Sequence, residues 1–395
     1  EEDLPILMDE YDLLAKEMTT YSNQGAYASH GHAIAANGLT ASRLQYACPN
    51  IRGEAYTVYT NCPTAGAMRG YGIPQVCFAT ESFMDDIAYE IGMDPLEFRR
   101  KNLIHGYYED AYLKPIAANT NGIFECLEKG AEYIHWDEKR KAYQNQTGDI
   151  RRGVGMALFS YKTGVWPISL EIAGARLSLN QDGSVQLQVG ATEIGQGADT
   201  VFSQMAAETL HMDISRVHIV TQQDTDVTPF DTGAYASRQS FVTGTAVKEC
   251  AQQLKQKILE YARTLVPGNV DRLELEDGYI LADGKPAISL EDLAMESYYS
   301  LSNSSVLTAE VSRQVKKNTV ASGCCFAEVE VDMKLGKIKV LDIVNVHDSG
   351  TLLNPQLAAM QVHGGMFMGI GYGVSEQLLI DEKTGRPLNG TLLDY

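Results

Sequence analysis

Residues 175–189 constrain the fold most tightly. Ala175, Leu177 and Leu179 alternate with polar residues up to Asp182-Gly183, and Val185, Leu187 and Val189 alternate away from it. A period of two on both sides of an Asp-Gly turn is the signature of an antiparallel hairpin. A glycine loop, Gly190 to Gly197, follows and opens a helix through Val201, Phe202, Met205, Ala206 and Leu210. The alternation recurs further on. Phe326 to Met333 and Lys337 to Val346 form a second hairpin across Lys334-Leu335-Gly336, and Asn354-Pro355 caps a final helix carrying Gly364, Gly365, Gly369, Gly371 and Gly373. Hairpins interleaved with helices predict an α+β fold rather than a doubly wound parallel sheet.

The first half reads in the same way. A β-type stretch from Leu13 to Tyr21 leads into small residues that dominate up to Ser42, a composition suited to tight helix packing or a ligand wall. Asn50 to Thr60 alternates β-branched and aromatic residues as a strand does. Arg69-Gly70-Tyr71-Gly72 then gives way to a helix from about Pro74 to Ile91, with Phe78, Phe83, Met84, Ile87 and Ala88 on one buried face and Gly92 at C′. Asp94-Pro95-Leu96-Glu97 combines an N-cap carboxylate, Pro at N1 and Glu at N3, so a short helix runs to about Leu103. His105 to Asn121 has no period and reads as the join between domains. An amphipathic surface helix, Phe124 to Ala142, a central strand, Gly153 to Phe159, a short strand, Val217 to Thr221, and a long helix, Phe241 to Thr264, complete the pattern. Gly-Ala-Tyr-Ala-Ser occurs twice, at Gly25 to Ser29 and at Gly233 to Ser237; it marks either two related halves or a chance match of small residues.

Charge and cysteine usage exclude several function classes. With 32 Lys+Arg against 51 Asp+Glu the formal charge is −19, which argues against nucleic acid or an anionic membrane as partner. No stretch approaches the ~20 apolar residues that span a bilayer, and no basic n-region precedes an apolar run, so a soluble cytoplasmic chain is expected. The seven cysteines form no CxxC pair, which disfavours a zinc ribbon or an iron–sulfur cluster and fits reduced thiols. At roughly 100–200 residues per domain, 395 residues suggest two or three domains.

Three glycine loops remain as candidates: Met68 to Gly72, Gly190 to Gly197, and Ser349-Gly350. Each reads as a tight turn or as a set of backbone N–H groups offered to an anionic ligand at a helix N-terminus. None is a GxxxxGK[ST] loop, and Gly195-Gln196-Gly197 lacks the rest of a dinucleotide fingerprint. His30 and His32 have no Glu or Cys at zinc-site spacing and read as packing or surface residues. Cys62 has no marked histidine partner. His347 and Asp348 end a strand beside Gly350, a position that suits function and structural hydrogen bonding alike.

Met68-Arg69-Gly70-Tyr71-Gly72-Ile73-Pro74-Gln75 resembles the arginine-glycine-aromatic-glycine-x-proline-glutamine motif of the molybdenum hydroxylases of the xanthine dehydrogenase and aldehyde oxidase family. Further stretches follow in family order: Pro49 to Gly53, Pro95 to Asn102, Glu193 to Gly197, and Leu353-Asn354-Pro355 with Gln361. The resemblance covers nearly everything from Leu13 to Tyr395. It implies two elongated molybdopterin-binding domains of mixed sheets and helices clasping one cofactor, with residues 1–118 part of the first and 119–395 part of the second. It also implies hydroxylation of a carbon beside a ring nitrogen, or of an aldehyde, with oxygen from water, on a purine or related small heterocycle. It further implies a molybdenum-molybdopterin cofactor, as the cytosine dinucleotide, with iron–sulfur and FAD groups on partner subunits in a dimer of the complex. An aldehyde or nicotinate-type hydroxylase and a non-catalytic scaffold of the same fold are the alternatives.

Carried over residue by residue, the resemblance places Met68, Arg69 and Gly70 in the loop beside the metal and Tyr71 as the aromatic that stacks on a flat substrate. Gln196 matches a glutamine touching the cofactor; Ala236, Ser237 and Gln239 fall in the pterin-side loop; Gln361 reaches the pterin from the last helix. No residue of this chain is expected to ligate the metal. The family's substrate-orienting arginine, counted back without gaps from Pro49, falls on Asn37. Losing a charge-assisted hydrogen bond costs about 1.5–3 kcal/mol, roughly ten- to a hundredfold in transition-state binding, so purines are held differently or are not the substrate. The family's general-base glutamate is expected beyond Tyr395 and its upstream glycine-rich metal loop before residue 1, and Glu1 to Asp12 match poorly. The chain therefore reads as an internal piece of a larger molybdenum subunit.

Overall fold

The computed structural model describes residues 6–9, 11–104, 107–109, 115–117, 122–166 and 168–395. The chain divides into two compact units: Glu1–Lys162 with Thr319–Leu352 and Ala358–Tyr395, and Thr163–Asn318 with Leu353–Leu357. The expected domain boundary at 118/119 lies outside the described residues.

In the first unit, the strand Asp12–Gly25 is followed by the helix Gly31–Ala41 and the strand Asn50–Tyr59, and the two strands pair in parallel with Tyr21 opposite Tyr56. The small residues before Ser42 are thus the helix of a βαβ crossover, the connection that a parallel pair requires. Ile6–Asp9 adds an antiparallel edge to this sheet. A second sheet, in the order Lys337–Asp348, Thr319–Asp332, Ile150–Thr163, contains the long hairpin expected around Gly336, with Phe326 opposite Val344. The stretch Gly153 to Phe159 therefore lies in an edge strand of the described sheet, which corrects its expected central position. The core between these layers gathers Tyr46, Met84, Phe98, Leu127, Ile134, Trp136, Leu158 and Phe326.

Two helices depart from their sequence expectations for packing reasons. In Ile73–Glu90 the buried residues are Val76, Thr80, Glu81, Met84 and Ala88, whereas Phe78 is 76% exposed. Glu81 is drawn inward by Arg99, whose Nε donates to it at 2.9 Å while Tyr46 Oη donates at 2.7 Å and the Leu158 amide at 2.9 Å. Satisfying this buried carboxylate sets the helix rotation and turns Phe78 to the outside. The single helix expected over 124–142 is two, Ile123–Ile134 and Trp136–Ala142, broken at His135 with φ 59°. The break lets Trp136 meet Phe326 edge-on and donate through Nε1 to Asp94, and Cys126, Leu127, Gly130 and Ile134 are buried rather than lying on a surface. Asp94 caps Pro95–Asn102 as expected, accepting from Leu96 N at 2.8 Å.

Lys16 is a buried cation, 4% exposed, whose Nζ donates to the Ser42 carbonyl. Desolvation lowers its pKa to about 8, overcoming the attraction of Cys48 and Glu81. Because the folded state holds this proton less tightly than the unfolded chain does, its stability rises with pH between about 8 and 10.5 and is lowest below 8. Lys16→Met is therefore expected to raise the thermal midpoint at pH 7, by an amount equivalent to about 1–2 kcal/mol, and the gain should shrink at pH 10. A fall in the midpoint at pH 7 would contradict this.

The second unit is built on a four-stranded sheet in the order Thr308–Gln314, Ile172–Leu179, Val185–Val189, Val217–Ile219. The Asp182-Gly183 hairpin forms as expected, with Leu177 opposite Leu187 and Gly183 at φ 72°. Its third and fourth strands are parallel and enclose the helix Ala198–Leu210, a second βαβ arrangement. Ala198–Leu210 and the long helix Gln239–Leu265 bury Phe202, Leu210, Val247, Leu254 and Ile258 against Leu177, Val185 and Leu187. Mixed antiparallel hairpins and helices in both units make the chain α+β, as expected. The two Gly-Ala-Tyr-Ala-Ser copies differ in backbone: Ala236 and Ser237 have φ 49° and 51°, while Ala28 and Ser29 do not enter the left-handed region. Among the described residues, no helix is long and apolar enough to cross a membrane.

Candidate functional site

In the first unit the motif loop is a run of three left-handed residues, Gly70 (φ 94°), Tyr71 (φ 50°) and Gly72 (φ 87°). Left-handed backbone at a bulky residue costs roughly 1–3 kcal/mol and persists only where surroundings over-determine it. They do so here. A Cβ on Gly70 would lie 2.6 Å from Pro74 Cδ, and one on Gly72 would lie 2.4 Å from the Ile34 carbonyl oxygen. Tyr71 N donates to Met68 O at 2.8 Å, and Asn37 Nδ2 donates to Tyr71 O at 2.9 Å. Asn37 thus braces the Tyr71 main chain, and His30 Nδ1 lies 2.8 Å from Tyr71 Oη. Burial pushes the Tyr71 phenol above its ordinary pKa.

Arg69, on the same loop, donates through Nη2 to the carbonyl oxygen of Gln361 at 2.8 Å and to its Oε1 at 3.0 Å. These residues stand 292 positions apart; the resemblance placed Arg69 in the loop beside the metal and Gln361 at the pterin. The guanidinium lies against the last helix, Pro355–Val374, where a Cβ on Gly364 would come within 3.1 Å of Nη1. Gly364 therefore opens the slot that Arg69 fills.

The second unit carries the other candidate residues. Gln196 Nε2 donates to Gln239 Oε1 at 2.5 Å and to Thr192 O at 3.0 Å, and Gln239 Nε2 donates to the same carbonyl at 3.1 Å. Ala236 and Ser237 are consecutive left-handed residues, and among the described residues neither backbone N–H has a partner. Their loop is anchored by Arg238, fully buried, which donates to Glu171 and Asp231 at 2.6 Å each. In the Gly190–Gly197 loop the amides of Ile194, Gly195 and Gly197 are not free for an anion. Glu193 accepts from the amides of Gly195 at 2.7 Å, Gly197 at 3.0 Å and Asp199 at 3.1 Å, and so closes the helix N-terminus with a carboxylate of the chain itself. Partial burial pushes the Glu193 carboxyl up, but these amide donors together outweigh it and hold the pKa below the ordinary value. At Ser349-Gly350 the Gly350 amide is likewise taken, by Asp348 Oδ1 at 3.2 Å.

His30, Glu193 and Arg238 were not foreseen as site residues. His30 was read as a packing or surface residue, and its partner lies 41 residues away. Glu193 stands two and four residues before glycines whose amides it caps, a local spacing that sequence can reveal. His347 lies against Phe159 with ring centroids 4.8 Å apart, and desolvation of its ring lowers its pKa.

Comparison with known proteins shows the class to which these two α+β units belong. Models of the molybdopterin cofactor-binding domain match residues 7–103 and 129–395. The chain belongs to this family, that of the molybdenum hydroxylases. It is 48% identical over 383 residues to the xanthine dehydrogenase molybdenum-binding subunit of Escherichia coli O157:H7, a match covering 95% of this chain and 50% of that protein. Quinoline 2-oxidoreductase from Pseudomonas putida 86 superposes with a TM-score of 0.89 at 22% identity, over 100% of this chain and 52% of that one. Aldehyde oxidoreductase from Desulfovibrio desulfuricans superposes with a TM-score of 0.72 at 26% identity, over 92% and 38%. The chain thus spans about half the length of the curated relative it matches.

Proposed function

We propose that this chain carries pterin-binding residues of the molybdopterin-binding subunit of an oxidoreductase that hydroxylates a purine or related N-heterocycle with oxygen from water. The observation that carries the reading is the Arg69–Gln361 pair beside the left-handed Gly70-Tyr71-Gly72 run. Each unit by itself offers groups that suit a pterin or its phosphates: the first a guanidinium seated in a glycine slot and the Nε2 of Gln361, the second the amides of Ala236 and Ser237, and neither that Nε2 nor those amides have a partner among the described residues. Two successive N–H groups in such a conformation favour an anionic oxygen. When bound, the molybdenum cofactor supplies the oxygen transfer and accepts two electrons. The chain's own residues bind and orient: Arg69 and Gln361 fix one another, Gln196 and Gln239 brace the Thr192 carbonyl, and Met68 and Gly70 shape the turn that presents the Tyr71 ring to a flat substrate.

The same reading includes a cytosine dinucleotide form of the pterin, iron–sulfur and FAD groups on partner subunits, a dimer of the complex and a cytoplasmic location. Asn37 favours a second reading for the substrate. Its amide is engaged with the Tyr71 carbonyl at 2.9 Å, so it offers a dioxopurine no charged anchor, and an aldehyde or nicotinate-type substrate becomes the competitor. Turnover of xanthine, nicotinate and benzaldehyde by the intact complex separates these.

Gln196→Ala tests the cofactor assignment. Molybdenum content, measured by elemental mass spectrometry on the purified intact complex, should fall severalfold while circular dichroism stays close to wild type. Unchanged molybdenum would count against Gln196.

A further inference from the structure

One helix holds Tyr71 at both ends. Gly31–Ala41 grips the main-chain carbonyl through Asn37 and the phenol tip through His30, whose Nδ1 lies 2.8 Å from Oη with the two rings perpendicular and 6.0 Å apart. His30 is itself fixed, because it stands just before the helix and its carbonyl accepts from Ala33 N and Ile34 N, each at 3.0 Å. The loop and helix meet closely between these points: a Cβ on Gly38 would lie 2.7 Å from the Gly72 carbonyl oxygen. Tyr71 therefore has neither backbone nor ring freedom. A residue needed only for its ring face would not require a hydrogen bond at its tip, and phenylalanine would serve.

Resting on the reading that the Tyr71 ring lies beside the substrate, we propose that His30 is a specificity-determining residue: with Tyr71 it forms a hydrogen-bonding edge that selects rings bearing an oxo group or ring N–H over plain aromatic aldehydes. The chemistry follows from proton placement. If Tyr71 donates to a bare Nδ1, the phenol oxygen keeps an acceptor position for a ring N–H. If Nδ1–H points at the oxygen, the phenol proton is released toward an oxo group. Either arrangement leaves one directed polar position at the edge of a stacking face, and His30 is exposed while Tyr71 is half-buried, so the edge is accessible. Such a position discriminates, because a ring that cannot pair with it leaves the second hydrogen-bonding position of the phenol unused.

The test uses the intact, cofactor-loaded complex with xanthine, nicotinate and benzaldehyde. His30→Ala and Tyr71→Phe should each raise KM for xanthine about tenfold with kcat within about threefold, and lower the ratio of kcat/KM for xanthine to that for benzaldehyde severalfold. The double variant should be no worse than either single one, because both remove the same bond. His30→Asn, whose amide reaches the Nδ1 position, should restore most of the loss. Additive losses, or an equal effect on all three substrates, overturn the proposal. Tyr71→Ala separates it from the reading beneath: if that variant is silent on every substrate, the placement of substrate at Tyr71 fails. If it is damaging while Tyr71→Phe and His30→Ala are silent, only the hydrogen-bonding edge fails. A complex that turns over benzaldehyde but neither heterocycle overturns both.

Discussion

Arg238→Met should destabilise the second unit by about 3–5 kcal/mol. Arg238 and Asp231 side chains are fully buried and Glu171 is 1% exposed. The guanidinium also donates to the carbonyls of Gly233 at 3.1 Å and Ile172 at 2.8 Å. Both carboxylates have other donors, Val165 N on Glu171 and Thr243 Oγ1 on Asp231, but those are neutral and cannot offset two buried negative charges. Methionine fills the space and leaves both acids without a cation. Calorimetry of the intact complex should show a transition lowered by many degrees, and adding Asp231→Asn should recover part of it by removing one charge. A shift equivalent to less than about 1 kcal/mol would mean that the site admits water freely. The effect should extend to function, because Arg238 lies between the strained Ala236-Ser237 pair and Gln239, so molybdenum content should fall with it.

The second large effect is expected at Gly72, where two costs coincide. Its φ of 87° disfavours any side chain, and a Cβ there would sit 2.4 Å from the Ile34 carbonyl oxygen, a backbone atom that cannot step aside. Gly72→Ala should displace the loop that carries Arg69 and Tyr71 and cut molybdenum content of the complex at least tenfold. Gly92 is the matched control, with φ 67° and nothing within 4 Å of its would-be Cβ. Gly92→Ala pays only the backbone term, about 1 kcal/mol, and should keep its metal. Equal losses at the two positions would show that left-handed backbone alone matters; no loss at Gly72 would remove this loop from the cofactor's surroundings.

These cases show how differently the two levels of structure were written into the chain. Much that is governed by near neighbours was legible in the residues: the Asp182-Gly183 hairpin, the Asp94 cap, Gly92 after its helix, the period of the long helices, and the Gly70-Tyr71-Gly72 turn that carries the family motif, though the Glu193 cap, equally local, was not foreseen. Caps, turns and amphipathic periods rest on bonds spanning two to four residues, so the residue types alone specify them. What tertiary structure decided lies between residues far apart. The strands around Tyr21 and Tyr56 pair in parallel, Phe78 faces outward because Glu81 must meet Arg99, and the helix breaks at His135 so that Trp136 reaches Phe326. At the candidate site, Arg69 finds Gln361 and His30 finds Tyr71. The sequence by itself determined the α+β class, the element types and the motif loop. Which polar groups remain available to a ligand was decided only by folding, because a donor is free or taken according to what the rest of the chain brings within about 3 Å of it.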